Sequence, residues 1–478
     1  MNYGKIIHIL GVLLQVEGLL MSLPLLVAIL YRESCWLHLG IVMVGALGIG
    51  TLLRLKKNKR DRIHAKEGFV ITALSWILLS IVGAMPFWIS REIPNFIDAF
   101  FESASGFTTT GASILTNVEG MSHGLLFWRS LTHWIGGMGV LVFILAVLPS
   151  DADDMYLMKA ESPGPSVEKM LPKVRQTAMI LYGIYLGLTV LNILLLLIFG
   201  MPAFDSFCLA FGAAGTGGFG VKNDSIASYS TSCQIIITIF MFLFGVNFKL
   251  YFLIVFRKFK DILKCEEIMW YAIIYGAAVT LVVIGIIHDV GDFGTALKEG
   301  AFQVSSIMTT TGYATTDFNL WGSMPKAVLV MVMFIGACAG STGGGVKVSR
   351  CILWFKQVKS ELSHFLHPRS VKKIRLEGKA VEQETLRTSN VFLMAYVLVF
   401  VFSLLIISFD GFDLETSFTA VAATQNNIGP GLGVVGPTGS YAAFSGISKL
   451  VMIFDMIAGR LELFPMLILF APSTWSRK

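Results

Sequence analysis

Two stretches of this chain, residues 108–113 (TTTGAS) and 309–313 (TTTGY), gather threonine hydroxyls around a glycine, and weaker echoes occur at 215–219 (GTGGF) and 426–431 (NNIGPG). No carboxylate falls within 108–113, 215–220, 309–314 or 426–433, so the oxygens on offer are neutral. Glycine lets the backbone turn its carbonyls to one side, threonine adds a hydroxyl acceptor, and rings of such oxygens can replace the hydration shell of an alkali ion. Calcium and magnesium are usually held by carboxylates and water, so a weakly hydrated monovalent cation is the better match. One such loop is also an ordinary packing turn in a membrane protein. Four of them favour a lining.

Aligned on Gly111, Gly218, Gly312 and Gly429, the loops recur at intervals of roughly one hundred residues, an internal repeat. Upstream of each glycine stands an acid (Asp98, Asp205, Glu299, Glu415) and then a phenylalanine (Phe101, Phe207, Phe302, Phe418). That preface predicts a short helix with the acid at its N-terminus, where free N–H groups and the positive dipole end favour it. The opposite end, carrying about half a negative charge, then points at the glycine loop. Four such ends on one axis favour a cation.

Composition sets the elements that must position these loops. With 55% apolar residues and 14% charged, against roughly 25% in soluble domains, the chain is an integral membrane protein. The six cysteines form no CxxC pair, so neither a disulfide framework nor a zinc site is indicated and they read as small apolar packers. Residues 6–31 read as a spanning helix rather than a cleaved signal, whose apolar core would be shorter; 36–55 is a second span. Each repeat then has an apolar span, a short helix, a glycine loop and a second span. The spans are 68–89 and 125–148, 177–199 and 235–256, 268–287 and 327 onward, then 390–409 and 447–470. The expected fold is all-α with ten transmembrane helices. Its divisions are a two-helix extension 1–67, repeats at 68–150, 151–263 and 264–360 (the last with a broken second helix), and a cytoplasmic loop with the fourth repeat at 361–478.

Charge supports one orientation. The run RLKKNKRDR at 54–62 and the loops at 149–176, 257–267 and 356–388 hold most of the basic residues, whereas the glycine-loop side is sparse in them. By the positive-inside rule the termini lie in the cytoplasm and the glycine loops face out. The net charge of +6 is thereby a topological signature, and no nucleic-acid partner is needed.

One span is too long. Residues 325–360 as a continuous helix would measure about 54 Å at about 1.5 Å per residue, against a hydrocarbon core of about 30 Å. Its middle, GACAGSTGGG at 336–345, either lets neighbours approach closely or forms a flexible gate beneath the loops. A gate separate from the loops would, when shortened, raise the open probability and leave ion preference unaltered. Arg460 lies mid-span and needs a partner, with Glu462 and a carbonyl of the broken helix as alternatives; it is a structural anchor or a barrier to cations. Lys249 and Lys449 read as snorkelling, and Arg129 with His133 as an interfacial pair.

TTTGAS, TGGF, TTTGY and NNIGPGLG, with GSTGGGVK after the third loop, HWIGGMGV in the first unit and GRLELFP around Arg460, resemble the Trk/Ktr/HKT superfamily of potassium transporters over nearly the whole chain. The extra N-terminal spans are more similar to its Trk H-type subunit than to the shorter Ktr B-type. The resemblance implies a pseudo-fourfold pore made by one chain, a homodimer with a pore in each protomer, and K⁺ (also Rb⁺) as the ion in a bacterial inner membrane, with no covalent cofactor. Gly111, Gly218, Gly312 and Gly429 match the filter glycines, with Thr110, Gly217, Thr311 and Ile428 offering carbonyls and Thr109, Thr310 and Asn427 flanking them. In plant relatives a serine at the first glycine position goes with sodium; here it is Gly111, which points to potassium. Gly340, Ser341, Thr342, Gly343, Gly344 and Gly345 match an intramembrane gate loop, and Arg460 the pore-facing arginine. A cytoplasmic nucleotide-binding ring is the implied regulator, docking on the basic inner loops, for which anionic lipid is a simpler partner.

A gated uniporter is the first reading of function. An H⁺- or Na⁺-driven symporter is the alternative, although the intramembrane carboxylates Glu17, Glu102, Asp455 and Glu462 form no visible chain. A membrane-embedded enzyme is the remote one, since no metal-ligand spacing or clustered histidine is present.

Overall fold

A backbone in hydrocarbon must satisfy its own hydrogen bonds, and helices do so within one segment. The long apolar runs of this chain accordingly form long helices. The computed structural model describes residues 1–55, 65–139, 174–262, 264–369 and 373–475. Most of the basic run 54–62, the end of the expected span 125–148 and nearly all of the loop 149–176 lie outside the described residues. Among the described residues six helices are long and apolar enough to cross a membrane: Tyr3–Leu30, Cys35–Arg54, Lys66–Ile89, Gln176–Ile198, Glu266–Val290 and Gln383–Asp410. The pair Thr231–Phe244 and Phe248–Val255, bent by 90°, makes a seventh if counted as one span. The first carries a joint at Met21, where Tyr3–Leu20 gives way to Ser22–Leu30.

The second spans of the first, second and fourth units differ from the reading in one consistent way, and the third breaks where its length required. None continues as one straight helix. His123–Gly137, Thr231–Phe244, Ser323–Ile335 and Gly446–Arg460 each stop after 13 to 15 residues, about 20 Å of helix at about 1.5 Å per residue. The stops have local causes. Gly139 and Gly336 take positive φ, as do Glu462 and Leu463 after Arg460. In the second unit the helices meet at 90°, and the Asn247 side chain caps the new one by accepting from the Lys249 amide at 2.9 Å. The span read as 235–256 is therefore two helices, because a capping asparagine follows Gly245.

The freed backbone groups find partners in neighbouring breaks. The Cys338 amide donates to Gly245 O (3.1 Å) and the Phe248 amide to Gly340 O (2.9 Å). Buried Glu267 accepts from the amides of Ala339 (2.7 Å) and Ser349 (3.2 Å) and from Asn247 Nδ2 (3.3 Å). After the third break the helix Val348–Leu366 resumes, leading to a small hairpin, Arg375–Leu376 with Lys379–Ala380. Two lysines read as snorkelling are paired instead: Lys449 Nζ lies 2.6 Å from Asp98 and Lys249 Nζ 3.3 Å from Glu377.

The short helices are Phe96–Phe107, Ala203–Gly215, Phe293–Met308 and Leu414–Gln425. Asp98, Asp205 and Glu415 occupy first turns as expected. Glu299 does not. The third helix begins further upstream with Asp292 as its cap, which accepts from the Thr295 amide at 2.7 Å, and Glu299 accepts instead from the Thr315 hydroxyl.

The N-terminal extension packs tightly on itself and on the first unit. Gly11 and Gly50 cross so closely that a Cβ on either would lie within 2.8 Å of the other's carbonyl oxygen. On the side of the glycine loops, Glu33 accepts from the amides of His123 (2.8 Å) and Gly124 (3.0 Å) and from His123 Nδ1 (2.8 Å), while Tyr31 stacks on the His123 ring. Burial alone would raise the Glu33 carboxyl, but the two amides and the His123 ring outweigh it and hold it below the ordinary carboxylate range. A lowered carboxylate stabilises the fold fully above its unfolded pKa, about 4.3, and the gain is lost as pH falls through the lower folded value. We expect Glu33→Gln to lower the thermal midpoint at pH 7 by an amount corresponding to about 0.5–1 kcal/mol, the usual worth of a carboxylate at a helix N-terminus. The gap from the native chain should narrow below about pH 4. Thermal unfolding at pH 7 and pH 3.5 checks both; a gap that is independent of pH would refute the clamp.

Candidate functional site

Each short helix delivers its chain into a loop with the same two-step backbone. The first step is a non-glycine residue at positive φ: Thr109 (55°), Thr216 (55°), Thr310 (60°) and Asn427 (57°). Two residues later the glycine repeats the sign: Gly111 (78°), Gly218 (76°), Gly312 (86°) and Gly429 (96°). L-residues visit this region at a cost, so eight such positions in register across four loops form a designed pattern. The sequence signalled the glycine step. The threonine and asparagine step was not legible, because those side chains are ordinary in many other conformations.

The loops interlock in a closed cycle. A Cβ on Gly111 would collide with the Gly217 carbonyl oxygen, one on Gly218 with Thr311 O, and one on Gly312 with Ile428 O. A Cβ on Gly429 would come within 2.7 Å of Thr110 O. Each glycine thus faces the carbonyl just before the glycine of the next loop. The four carbonyl residues anticipated from sequence, Thr110, Gly217, Thr311 and Ile428, are brought together around one axis. All four glycines also line a single open cavity of about 330 Å³.

Side chains tie neighbouring loops on the outer side. Buried Glu102 accepts from Ser113 Oγ (2.9 Å) and the Ile114 amide (3.0 Å) of the first loop and pairs with Arg129 Nε at 2.5 Å. Arg129 donates to Gly220 O (3.0 Å) of the second loop, its guanidinium 3.6 Å from the Phe219 ring centre. Tyr313 reaches from the third loop to Leu209 O (3.0 Å), and the Ile226 amide returns to Ala314 O (3.0 Å). Asn319 exchanges two hydrogen bonds with Gly433. Tyr441 closes the circle, its hydroxyl donating to Gly429 O (2.7 Å) and its amide to Ser113 O (2.9 Å). The pairing of Arg129 with His133 is thus replaced: Arg129 is spent on Glu102, and buried His133 stacks on Phe219 with ring centres 4.1 Å apart.

Beneath the ring lies the break of the third unit. Gly336, Gly340 and Gly345 take positive φ, so the segment loops rather than spirals. Thr342 donates to Phe244 O (3.2 Å), and the Gly344 amide to Thr310 Oγ1 (2.6 Å). Lys347, at φ 82°, turns its ammonium back onto Gly343 O. Of the two partners weighed for Arg460, the broken-helix carbonyl is present: Nη1 donates to Thr342 O (2.7 Å), and Nη2 to Gly136 O (2.5 Å) and Gly137 O (2.7 Å). Glu462 pairs with Arg350. Arg460, Lys347 and Gly343 line a cavity of about 80 Å³ under the ring. Lys347, Glu267, Tyr313 and Tyr441 were missed as site residues. The GSTGGGVK motif contained the first and TTTGY contained Tyr313, but Tyr441 and Glu267 carry no local signal because their partners are distant in sequence.

The profile of the family described as "TrkH: Cation transport protein" matches residues 40–272 and 285–477. The Trk system potassium uptake protein TrkH of Salmonella typhimurium is 39% identical, covering 99% of this chain and 100% of that protein. The Trk system potassium uptake protein TrkG of Escherichia coli K12 is 33% identical, covering 98% of both. The crystal structure of the potassium transporter TrkH from Vibrio parahaemolyticus superposes with a TM-score of 0.89 at 33% identity, covering both chains fully. The chain belongs to the TrkH family of cation transport proteins.

Proposed function

We propose that this transport protein, which is not an enzyme, carries K⁺ inward across the cytoplasmic membrane through a pore encircled by its four glycine loops. One observation carries the reading: the cyclic packing of Gly111, Gly218, Gly312 and Gly429 on the carbonyls of Gly217, Thr311, Ile428 and Thr110. Those carbonyls, with Thr109, Thr310 and Asn427 beside them, are the oxygens that replace water around the ion. The names of the relatives, potassium uptake proteins, support K⁺ as that ion.

The pore is pseudo-fourfold, built from units 68–150, 151–263, 264–360 and 361–478 after the extension 1–67, with ten crossings and both termini in the cytoplasm. The segment 340–345 with Arg460 is its gate. A homodimer is favoured by the exposed apolar face of Val348–Leu366, which presents Phe355, Val358, Leu362 and Phe365. The basic inner loops receive a nucleotide-binding regulatory ring or anionic lipid.

Uniport suffices energetically. One charge gains about 2.3 kcal/mol per 100 mV, so about 150 mV supplies roughly 3.5 kcal/mol, a few-hundredfold accumulation at about 1.4 kcal/mol per decade. Symport would need a titratable relay. Three of the four candidate carboxylates serve separate contacts instead, Glu102 with Arg129, Glu462 with Arg350 and Asp455 with Ser403 Oγ at 2.7 Å, and Glu17 is buried with neither oxygen hydrogen-bonded.

The purified protein in a planar bilayer, K⁺ on one side and Na⁺ on the other, should give a current reversing near the K⁺ equilibrium potential and indifferent to a pH step. Reversal that moved with pH would favour symport. Gly111→Ser and Gly312→Ser should each abolish K⁺ selectivity, since a side chain at positive φ meets the next loop's carbonyl; native-like reversal potentials in both variants would overturn the filter assignment. Glu102→Gln should act as a structural lesion rather than an uncoupling one. Leaving Arg129 buried without its counter-charge costs about 3–5 kcal/mol, expected as a lowered thermal midpoint with no change in pH sensitivity of transport. Intact stability with altered H⁺ dependence would return Glu102 to a relay.

A further inference from the structure

The hydroxyls at the first positive-φ step of each loop are not used alike. Thr109 Oγ1 turns back on its own chain, donating to Thr108 O at 2.7 Å, and Thr216 Oγ1 does the same to Gly215 O at 2.6 Å. At the fourth position the Asn427 amide donates to Thr110 Oγ1 of the neighbouring first loop (3.0 Å) and to Met456 O (2.8 Å). Thr310 instead faces the break segment, where its hydroxyl accepts from the Gly344 amide at 2.6 Å. The site is fully buried.

Two further contacts make the segment the floor of the third and fourth loops. A Cβ on Gly343 would lie 2.8 Å from Thr309 O, and one on Gly344 would strike Asn426 O and come within 3.1 Å of Asn427 Cβ. Only glycine permits so close an approach. The other hydroxyls of the third loop are occupied within it, Thr309 and Thr311 being 2.7 Å apart. Thr310 is therefore the polar joint between loop and floor.

We infer that Thr310 is a positioning residue shared by filter and gate, and that withdrawing segment 340–345 lowers the affinity of the filter for K⁺. The inference rests on the filter and gate reading above. When the segment leaves, the Thr310 hydroxyl loses its buried donor, the Gly344 amide loses its acceptor, and the third loop loses the backbone it leans on. Linkage makes the effect reciprocal: K⁺ in the ring holds the segment in place as strongly as the segment favours K⁺. Gate and selectivity are then one equilibrium, contrary to the independence expected of a separate gate.

Calorimetric titration of the purified full-length chain with K⁺ and with Na⁺ tests this without needing an open pore. Shortening 340–345 should weaken K⁺ binding by roughly fivefold, the worth of one neutral hydrogen bond, and reduce the K⁺/Na⁺ preference. Thr310→Val should do the same in the native background and add nothing in the shortened one, whereas Thr310→Ser, which keeps the hydroxyl, should bind as the native chain does. Native-like K⁺ affinity after shortening, or an equal Thr310→Val effect in both backgrounds, overturns the inference and leaves the filter reading standing. A native chain that binds K⁺ no better than Na⁺ overturns both.

Discussion

Everything in this molecule answers to the cyclic contact of four glycines with four carbonyls. A loop can lie this close to its neighbour only if the facing residue has no Cβ, and can aim a carbonyl at the axis only if its backbone turns through positive φ. Both conditions are met together at Gly111, Gly218, Gly312 and Gly429. The short helices must then end where they do, and their buried residues, among them Phe101, Ala213, Phe302 and Ala422, fix that ending against the surrounding spans. Carbonyls aimed at an axis repel one another, so the ring also needs restraint from outside. The ties through Glu102 and Arg129, Tyr313, Asn319 and Tyr441 supply it.

The breaks beneath the ring follow from the same geometry. A straight second helix in every unit would carry the four walls past the ring without any element crossing under it. Stopping the helices at 137, 244, 335 and 460 frees carbonyls in a place where water is scarce. Arg460 takes three of them. A guanidinium at mid-span costs roughly 2.5–3.5 kcal/mol on insertion scales, and charge-assisted hydrogen bonds contribute roughly 1.5–3 kcal/mol each, so three such bonds offset the cost. Glu267 does the converse for amides, accepting from Ala339 and Ser349 on either side of the third break. A cation and an anion, each drawn to backbone of the opposite polarity, together keep irregular chain stable inside the membrane.

How far the sequence disclosed this depended on the range of the interaction. The four loops, their glycines and their acid-headed helices were legible because each is a local pattern repeated, and repetition turns a weak motif into a strong one. The six long spans were legible from hydropathy. The break of the third unit was legible from length and its run of small residues, but the other second spans were misjudged in continuity because apolar content persists across the break: Gly245 and Asn247 sit within an apolar run, and only the tertiary partners of the freed backbone explain why the helix turns. Glu299 was misplaced by half a helix because one acid near a predicted start looks like another, and Asp292 was the true cap. Lys449, Lys249 and Arg129 were misread for a common reason. Their partners lie tens to hundreds of residues away, and no periodicity reports a contact at that distance.

The symmetry of the chain is itself uneven, and the unevenness is informative. At the ring the four units agree to within about twenty degrees of φ at both loop steps. Below the ring they diverge: a right-angle bend in the second unit, a ten-residue loop in the third, a two-residue reversal in the fourth. Among the described residues only the third unit carries a loop, and the others support it. The bend at Gly245 receives the Cys338 amide, Phe244 O receives the Thr342 hydroxyl, and Arg460 holds Thr342 O. Four units joined in one chain can specialise in this way, whereas four identical subunits would each have to carry the same break.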